Sequence, residues 1–75
     1  MLYSVDTIEL RKAMVEKEIY TIVELSQKSD VNRNTLSGIL NGDIRPSSAI
    51  IERIAGVLSL GAEDIGRIFF KNKLS

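Results

Sequence analysis

The sequence contains no cysteine and no histidine. The first absence rules out a disulfide framework and a thiolate metal site. The second removes the commonest general base and the commonest metal ligand. The carboxylates that lie close together in sequence are Glu16 with Glu18 and Glu63 with Asp64. Neither pair sits in the apolar pattern that tunes a general acid, and Glu63 and Asp64 are better explained as first-turn residues favoured by a helix dipole. There is no glycine-rich phosphate loop, so little remains from which to build a catalytic pocket. No enzyme activity, catalytic residue, metal, cofactor or small-molecule ligand is expected. No apolar run approaches the roughly 20 residues that cross a bilayer, and no positive stretch followed by an apolar core opens the chain. No membrane association is expected, and a cytoplasmic setting fits best.

An excess of charge of one sign is also missing. Ten acidic residues balance ten basic ones. A nucleic-acid-binding domain usually carries a basic face, and the middle of the chain does not supply one. Lys28, Arg33 and Arg45 are matched by Glu24, Asp30 and Asp43. From Ser47 onward, Arg53, Arg67, Lys71 and Lys73 outnumber Glu52, Glu63 and Asp64 by one. If the protein binds DNA, few phosphates are neutralised, so non-specific affinity is weak and its salt dependence shallow.

What is present is helical punctuation. The 75 residues allow one domain with one modest core, and Met1 with the compact length suggests a whole protein. Residues 1–5 (MLYSV) either cap the core or form a loose arm. Asp6 or Thr7 starts a helix over about 7–17, polar outside Leu10, Ala13 and Met14. Thr21 with Glu24 reads as a capping box opening a second helix. A tight turn falls near Ser29 and Asp30, with Val31 as a buried pin and Asn32 as the next N-cap. A third helix runs from Arg33 to about Leu40, with Leu36, Ile39 and Leu40 on its apolar side. Asn41-Gly42 ends it, since glycine tolerates the left-handed conformation that closes many helices.

The stretch NGDIRPSS, 41–48, is the strongest loop signal. A fourth helix follows over about Ser48 to Leu58, with Ile51, Ile54, Ala55 and Leu58 at core spacing. Gly56 within it costs up to about 1 kcal/mol relative to alanine, for which close helix packing is a reason. Leu60-Gly61 makes a short joint before a fifth helix from Ala62 to about Phe70 or Lys71. Phe69 shares the apolar stripe of Ile65 and Ile68, whereas Phe70 and Leu74 do not. No strand alternation of useful length is present. The expectation is an all-α, compact bundle of five short helices, a single domain over 1–75.

The run T-x-x-E-L-S-x-x-S-D-V-N-R-N-T-L-S-x-I-L-N-G-x-x-x-P-S, followed by I-x-R-I-A-x-x-L, resembles the Cro and phage-repressor type of helix-turn-helix domain, the XRE family, over about residues 7–69. The resemblance implies a lambda-repressor-like fold with the helix-turn-helix at 21–41. Two positions depart from the pattern: the family usually has Gln where this chain has Ile22, and Gly where it has Asp30. Ile22 can neither contact a phosphate nor brace the recognition helix by hydrogen bonding.

In that family the second helix of the motif lies in the major groove, its N-terminal part toward the bases. Carried onto this chain, the base-facing candidates are Arg33, Asn34, Ser37 and Gly38. Arg33 suits a guanine edge and Asn34 an adenine edge. Ser37 adjusts, and Gly38 permits close approach. A plain solvated helix-start charge is the alternative for Arg33. Asn41 and Arg45 match phosphate-facing positions, with a C-cap and a solvated loop charge as their alternatives. Thr21 is first an N-cap, although helix N–H groups beneath it can receive a phosphate oxygen. Phe70 and Leu74 are assigned to a dimer interface, the alternative being that Phe70 closes the core. The expected function is sequence-specific binding of double-stranded DNA by a homodimeric transcriptional regulator. It is a repressor of phage or mobile-element type on an inverted-repeat operator. The rival class is a protein-interaction module on the same fold, an antitoxin or anti-regulator, which zero net charge and Ile22 favour.

Overall fold

The computed structural model describes residues 3–72. Five helices follow in order: α1 (Thr7–Glu16), α2 (Ile22–Ser29), α3 (Arg33–Leu40), α4 (Ser48–Leu58) and α5 (Ala62–Phe69). Each of the first four starts on a side-chain cap. Asp6 Oδ1 accepts the Glu9 N–H at 3.1 Å, and Thr21 Oγ1 accepts that of Glu24 at 3.1 Å. Asn32 Oδ1 accepts the Asn34 N–H at 2.7 Å, and Ser47 Oγ that of Ile50 at 3.3 Å. These bonds satisfy amide donors that a helix start leaves without an intrahelical partner.

Three helix ends close on non-glycine residues in the left-handed region: Asp30 at the turn expected from the sequence, and Glu18 and Ser59, which no local signal marks. Glu18 (φ 58°) ends α1, Asp30 (φ 57°) ends α2 and Ser59 (φ 56°) ends α4. After α1 the Ile19 N–H returns to the Met14 carbonyl at 2.9 Å, and after α4 the Leu60 N–H returns to Ala55 at 2.9 Å. Both are Schellman closures, which fasten an apolar residue just beyond the helix, Ile19 buried and Leu60 partly buried. The joint expected at Leu60-Gly61 is thus turned by Ser59. Gly61 instead precedes α5, with its N–H held by Asp64 Oδ2 at 3.3 Å.

The core is one cluster. Leu10, Leu25, Leu36, Ile39, Ile54, Ile68 and Phe69 are fully buried at its centre. α4 packs across α2 and against α5, while α1 packs on α3 and α5. Ile22 lies half-buried against the cluster, so its apolar side chain serves the core. Gly56 does not serve it: it is exposed, and a Cβ added there meets nothing within 4 Å. Close packing therefore does not explain Gly56.

In the described part of the N-terminal segment Val5 packs half-buried against the core, as a core cap would, and the residues before it add a strand. Tyr3–Ser4 (β1) pairs antiparallel with Lys71–Asn72 (β2), Tyr3 opposite Asn72 and Ser4 opposite Lys71. Behind this ribbon the Asp6 N–H donates to the Ile68 carbonyl at 2.6 Å, and Lys71 Nζ lies 3.7 Å from Asp6 Oδ2. Two-residue strands are invisible to a search for alternation, because there is no length over which to alternate. The all-α expectation holds, with this short ribbon added. Among the described residues no helix is long and apolar enough to cross a membrane.

Candidate nucleic-acid interface

α2 and α3 form the turn unit around which the candidates were placed. Asp30 reverses the chain in the left-handed conformation, and the Ser26 hydroxyl donates to the Val31 carbonyl at 2.6 Å. Val31 is buried, pinning the turn to the core. Arg53 on α4 donates to the Asp30 carbonyl at 3.0 Å. Arg11 on α1 donates to the Leu40 carbonyl at 3.2 Å, placing a cation at the negative end of α3. Both arginines escaped sequence reading, because nothing local marks a side chain that reaches 23 or 29 residues along the chain.

α3 buries Leu36, Ile39 and Leu40 and turns its other side outward. Arg33 and Asn34 are exposed, and Ser37 is half-buried. None of the three side chains makes a hydrogen bond or ion pair among the described residues. This isolates Arg33. Arg11 and Arg53 hold helix ends, Arg67 pairs with Glu9 and Asp64, and Arg45 donates to the Phe69 carbonyl. Arg33 is the arginine left with its donors unspent.

Gly38 faces a neighbour within the chain. A Cβ there would stand 2.2 Å from Ile44 Cδ1 and 2.6 Å from Ile44 Cγ1. The Asp43 and Ile44 N–H groups both donate to the Gly38 carbonyl, at 2.8 and 3.1 Å. Within the chain, the close approach that Gly38 permits is that of the following loop. Asn41 caps α3, its N–H on the Ser37 carbonyl at 3.0 Å, and its exposed side chain makes no hydrogen bond among the described residues. Gly42 turns the chain beyond it at φ 82°.

The remaining candidates are more committed. The Thr21 hydroxyl accepts from the Glu24 N–H and lies 3.4 Å from Glu24 Oε1, which also accepts the Tyr20 N–H. A carboxylate of the protein's own thus sits at the start of α2, where a phosphate would otherwise find the positive end of a dipole. The Arg45 guanidinium, besides donating to Phe69, lies over the Phe70 ring, 4.5 Å from its centroid. Phe70 also meets Tyr3 edge to face, with ring centroids 6.1 Å apart. Phe70 is still 44% exposed and does not enter the core. Leu74 lies outside the described residues. Candidates assigned separately to the recognition helix, the loop and the dimer face are joined by this chain of contacts: Gly38, Ile44, Arg45, Phe70 and Tyr3.

Away from this face, Asp64 and Arg67 perturb one another. Its hydrogen bond from Arg67, and then that from the Gly61 N–H, hold the Asp64 carboxyl below its ordinary value, while Asp64 and Glu9 raise that of Arg67.

Two capped helices joined by a buried turn, the second presenting short polar donors outward, define a helix-turn-helix protein. The helix-turn-helix family model matches residues 10–65. The chain belongs to this family, in its Cro and phage-repressor (XRE) branch, as the sequence resemblance implied. The match supports a DNA-binding function of the transcription-regulator type. No curated protein and no solved structure matches the chain significantly.

Proposed function

We propose that the protein is a sequence-specific regulator that reads double-stranded DNA with the outward side of α3. Arg33 carries this reading, because it alone among the arginines keeps its planar donor fork free on that side. Arg33 pairs with a guanine edge, Asn34 with an adenine edge, and Ser37 adjusts to either neighbour. Gly38 brings the loop against the helix. Asn41, at the end of α3, takes a phosphate oxygen, whereas the start of α2 at Thr21 is already filled by the Glu24 carboxylate.

One recognition helix reads only a few base pairs, so two copies related by a two-fold axis bind half-sites about one helical turn apart. The exposed Phe70, with Leu74 beyond it, is the candidate contact between them. Occlusion of a promoter by such a dimer makes the protein a repressor of phage or mobile-element type, acting in the cytoplasm without a cofactor, metal or small-molecule effector.

The test is a salt-titrated gel shift on the DNA upstream of its own gene, with Arg33→Ala beside the parent protein. Specific binding should weaken by about 1–3 kcal/mol and selectivity should relax at one base position. Absence of any sequence-selective complex, even at low salt, would refute the reading.

A protein partner is the second reading, and one observation favours it. Ile8 and Val15, two turns apart on α1, are 67% and 55% exposed. They interrupt a face that sequence reading took as polar. Under that reading Ile8→Asp abolishes partner binding, and no DNA sequence is selected.

A further inference from the structure

We infer that Arg45 is a positioning residue for the recognition helix, acting through the loop it belongs to, and that it does not clamp a phosphate. This rests on the DNA-reading role of α3.

The argument begins at Gly38. Two consecutive amides, of Asp43 and Ile44, converge on its carbonyl at 2.8 and 3.1 Å, and the Ile44 side chain fills the space where a Cβ would stand. The loop thereby lies against the last turns of α3. Pro46, which is buried, stiffens the chain one residue beyond Arg45. Arg45 itself reaches away from α3. It donates to the Phe69 carbonyl at the end of α5 and lies over the Phe70 ring, 4.5 Å from its centroid. Phe70 also meets Tyr3 edge to face, and the paired strands hold Tyr3 and Lys71 in place. The end of α5 is thus tied to the Gly38 side of α3 by one guanidinium. A guanidinium that has given up hydration for a carbonyl and an aromatic face is a poorer phosphate ligand than a free one, since both contacts must break before it can turn outward.

Two measurements decide the matter. The first is amide hydrogen exchange in the free protein for Arg45→Ala, Arg45→Lys and Phe70→Leu. A positioning role requires exchange at Asp43 and Ile44 to accelerate by about tenfold in all three, while Leu36 and Ile54 in the core keep their protection. Lysine fails here because it has no planar fork to stack and donate together. The second is the salt dependence of binding to a single half-site duplex, where dimerisation does not enter. A positioning role weakens specific binding in Arg45→Ala and Phe70→Leu and leaves the slope of log K against log salt unchanged. A phosphate clamp instead lowers that slope by about 1 in Arg45→Ala, and lysine, a good point charge, restores it.

Unchanged exchange at Asp43 and Ile44, or a slope lowered by alanine and restored by lysine, overturns the inference. Should the parent protein form no selective complex at all, the DNA reading falls by itself. The exchange measurement then still decides whether Arg45 holds the loop.

Discussion

Gly38→Ala and Gly56→Ala make the same chemical change in two helices of one protein and should act in opposite directions. Both replace a helical glycine by alanine, which gains up to about 1 kcal/mol of helix propensity. At Gly56 nothing lies within 4 Å of the new methyl group, so that gain is realised in full. In a domain of this size it should raise the melting temperature by roughly 4–8 °C. At Gly38 the methyl group would stand 2.2, 2.6 and 3.3 Å from Ile44 Cδ1, Cγ1 and Cβ. Rotating the end of the isoleucine relieves only the first contact. Clearing Cγ1 requires a change of χ1 as well, and the Cβ contact a small shift of the loop, which the Asp43 and Ile44 amides resist through their bonds to the Gly38 carbonyl. Overpacking of this kind costs about 1–3 kcal/mol, leaving Gly38→Ala between neutral and about 2 kcal/mol destabilising after its propensity gain. Because propensity enters both variants equally, the difference between them measures the Ile44 contact alone, about 1–3 kcal/mol. Urea unfolding of both variants, with equal m-values, gives that difference from the midpoints. Equal stabilisation by both substitutions would refute the seating of Ile44 over Gly38.

Other perturbations separate folding from binding. Ile22→Gln installs the residue usual in the family at the cost of a half-buried apolar side chain; stability should fall by about 1 kcal/mol while operator affinity rises by about 0.5–1.5 kcal/mol. Parallel urea and gel-shift titrations check this, and a loss in both would show that Ile22 was not displacing a DNA contact. Asp64→Asn should alter the acid limb of the stability curve. The folded Asp64 carboxyl is held below its ordinary value, first by Arg67 and then by the Gly61 N–H. Its contribution is therefore complete above the unfolded value of about 3.9 and is lost as the pH falls through the folded one. The parent-to-variant difference in urea midpoint should be constant from neutral pH to about 5 and shrink below about 4; a difference independent of pH would remove the carboxylate from the explanation.

The balanced charge acquires a structural meaning. Arg11, Arg45 and Arg53 end on backbone carbonyls at the close of α3, α5 and α2. They complement the negative ends of those helices. Arg67 is held by two carboxylates. Most of the guanidinium groups therefore act inside the molecule, and a DNA complex would depend on Arg33 and on the fit of α3 more than on a diffuse positive field. The shallow salt dependence expected from composition follows from the same disposition.

Helix boundaries were legible in the sequence because their causes are local. Asp6, Thr21, Asn32 and Ser47 each cap the helix that begins one residue later, with the acceptor two or three residues from its donor. The apolar spacing of Leu36, Ile39 and Leu40, and of Ile51, Ile54 and Leu58, marked the buried sides. The outward side of α3 followed by elimination, and with it Arg33, Asn34 and Ser37. The helix-turn-helix register came from the family resemblance over residues 7–69, with which these short-range relations agree.

What depended on distant residues could not be read in this way. Glycine is a poor guide to chain reversal where Glu18 and Ser59 take left-handed conformations. The partners of Gly38 and Arg45 are set by how the loop at 41–48 lies on α3 and on the end of α5. Tyr3 reaches Phe70 only because the two ends of the chain pair. The sequence by itself determined where each helix starts, which side it buries and which family it joins, since each depends on neighbours within a turn or two. Only the tertiary structure decided which arginine stays free and which become braces. A guanidinium takes whichever acceptor the fold brings within reach, and that acceptor can lie 24 residues away, as it does for Arg45.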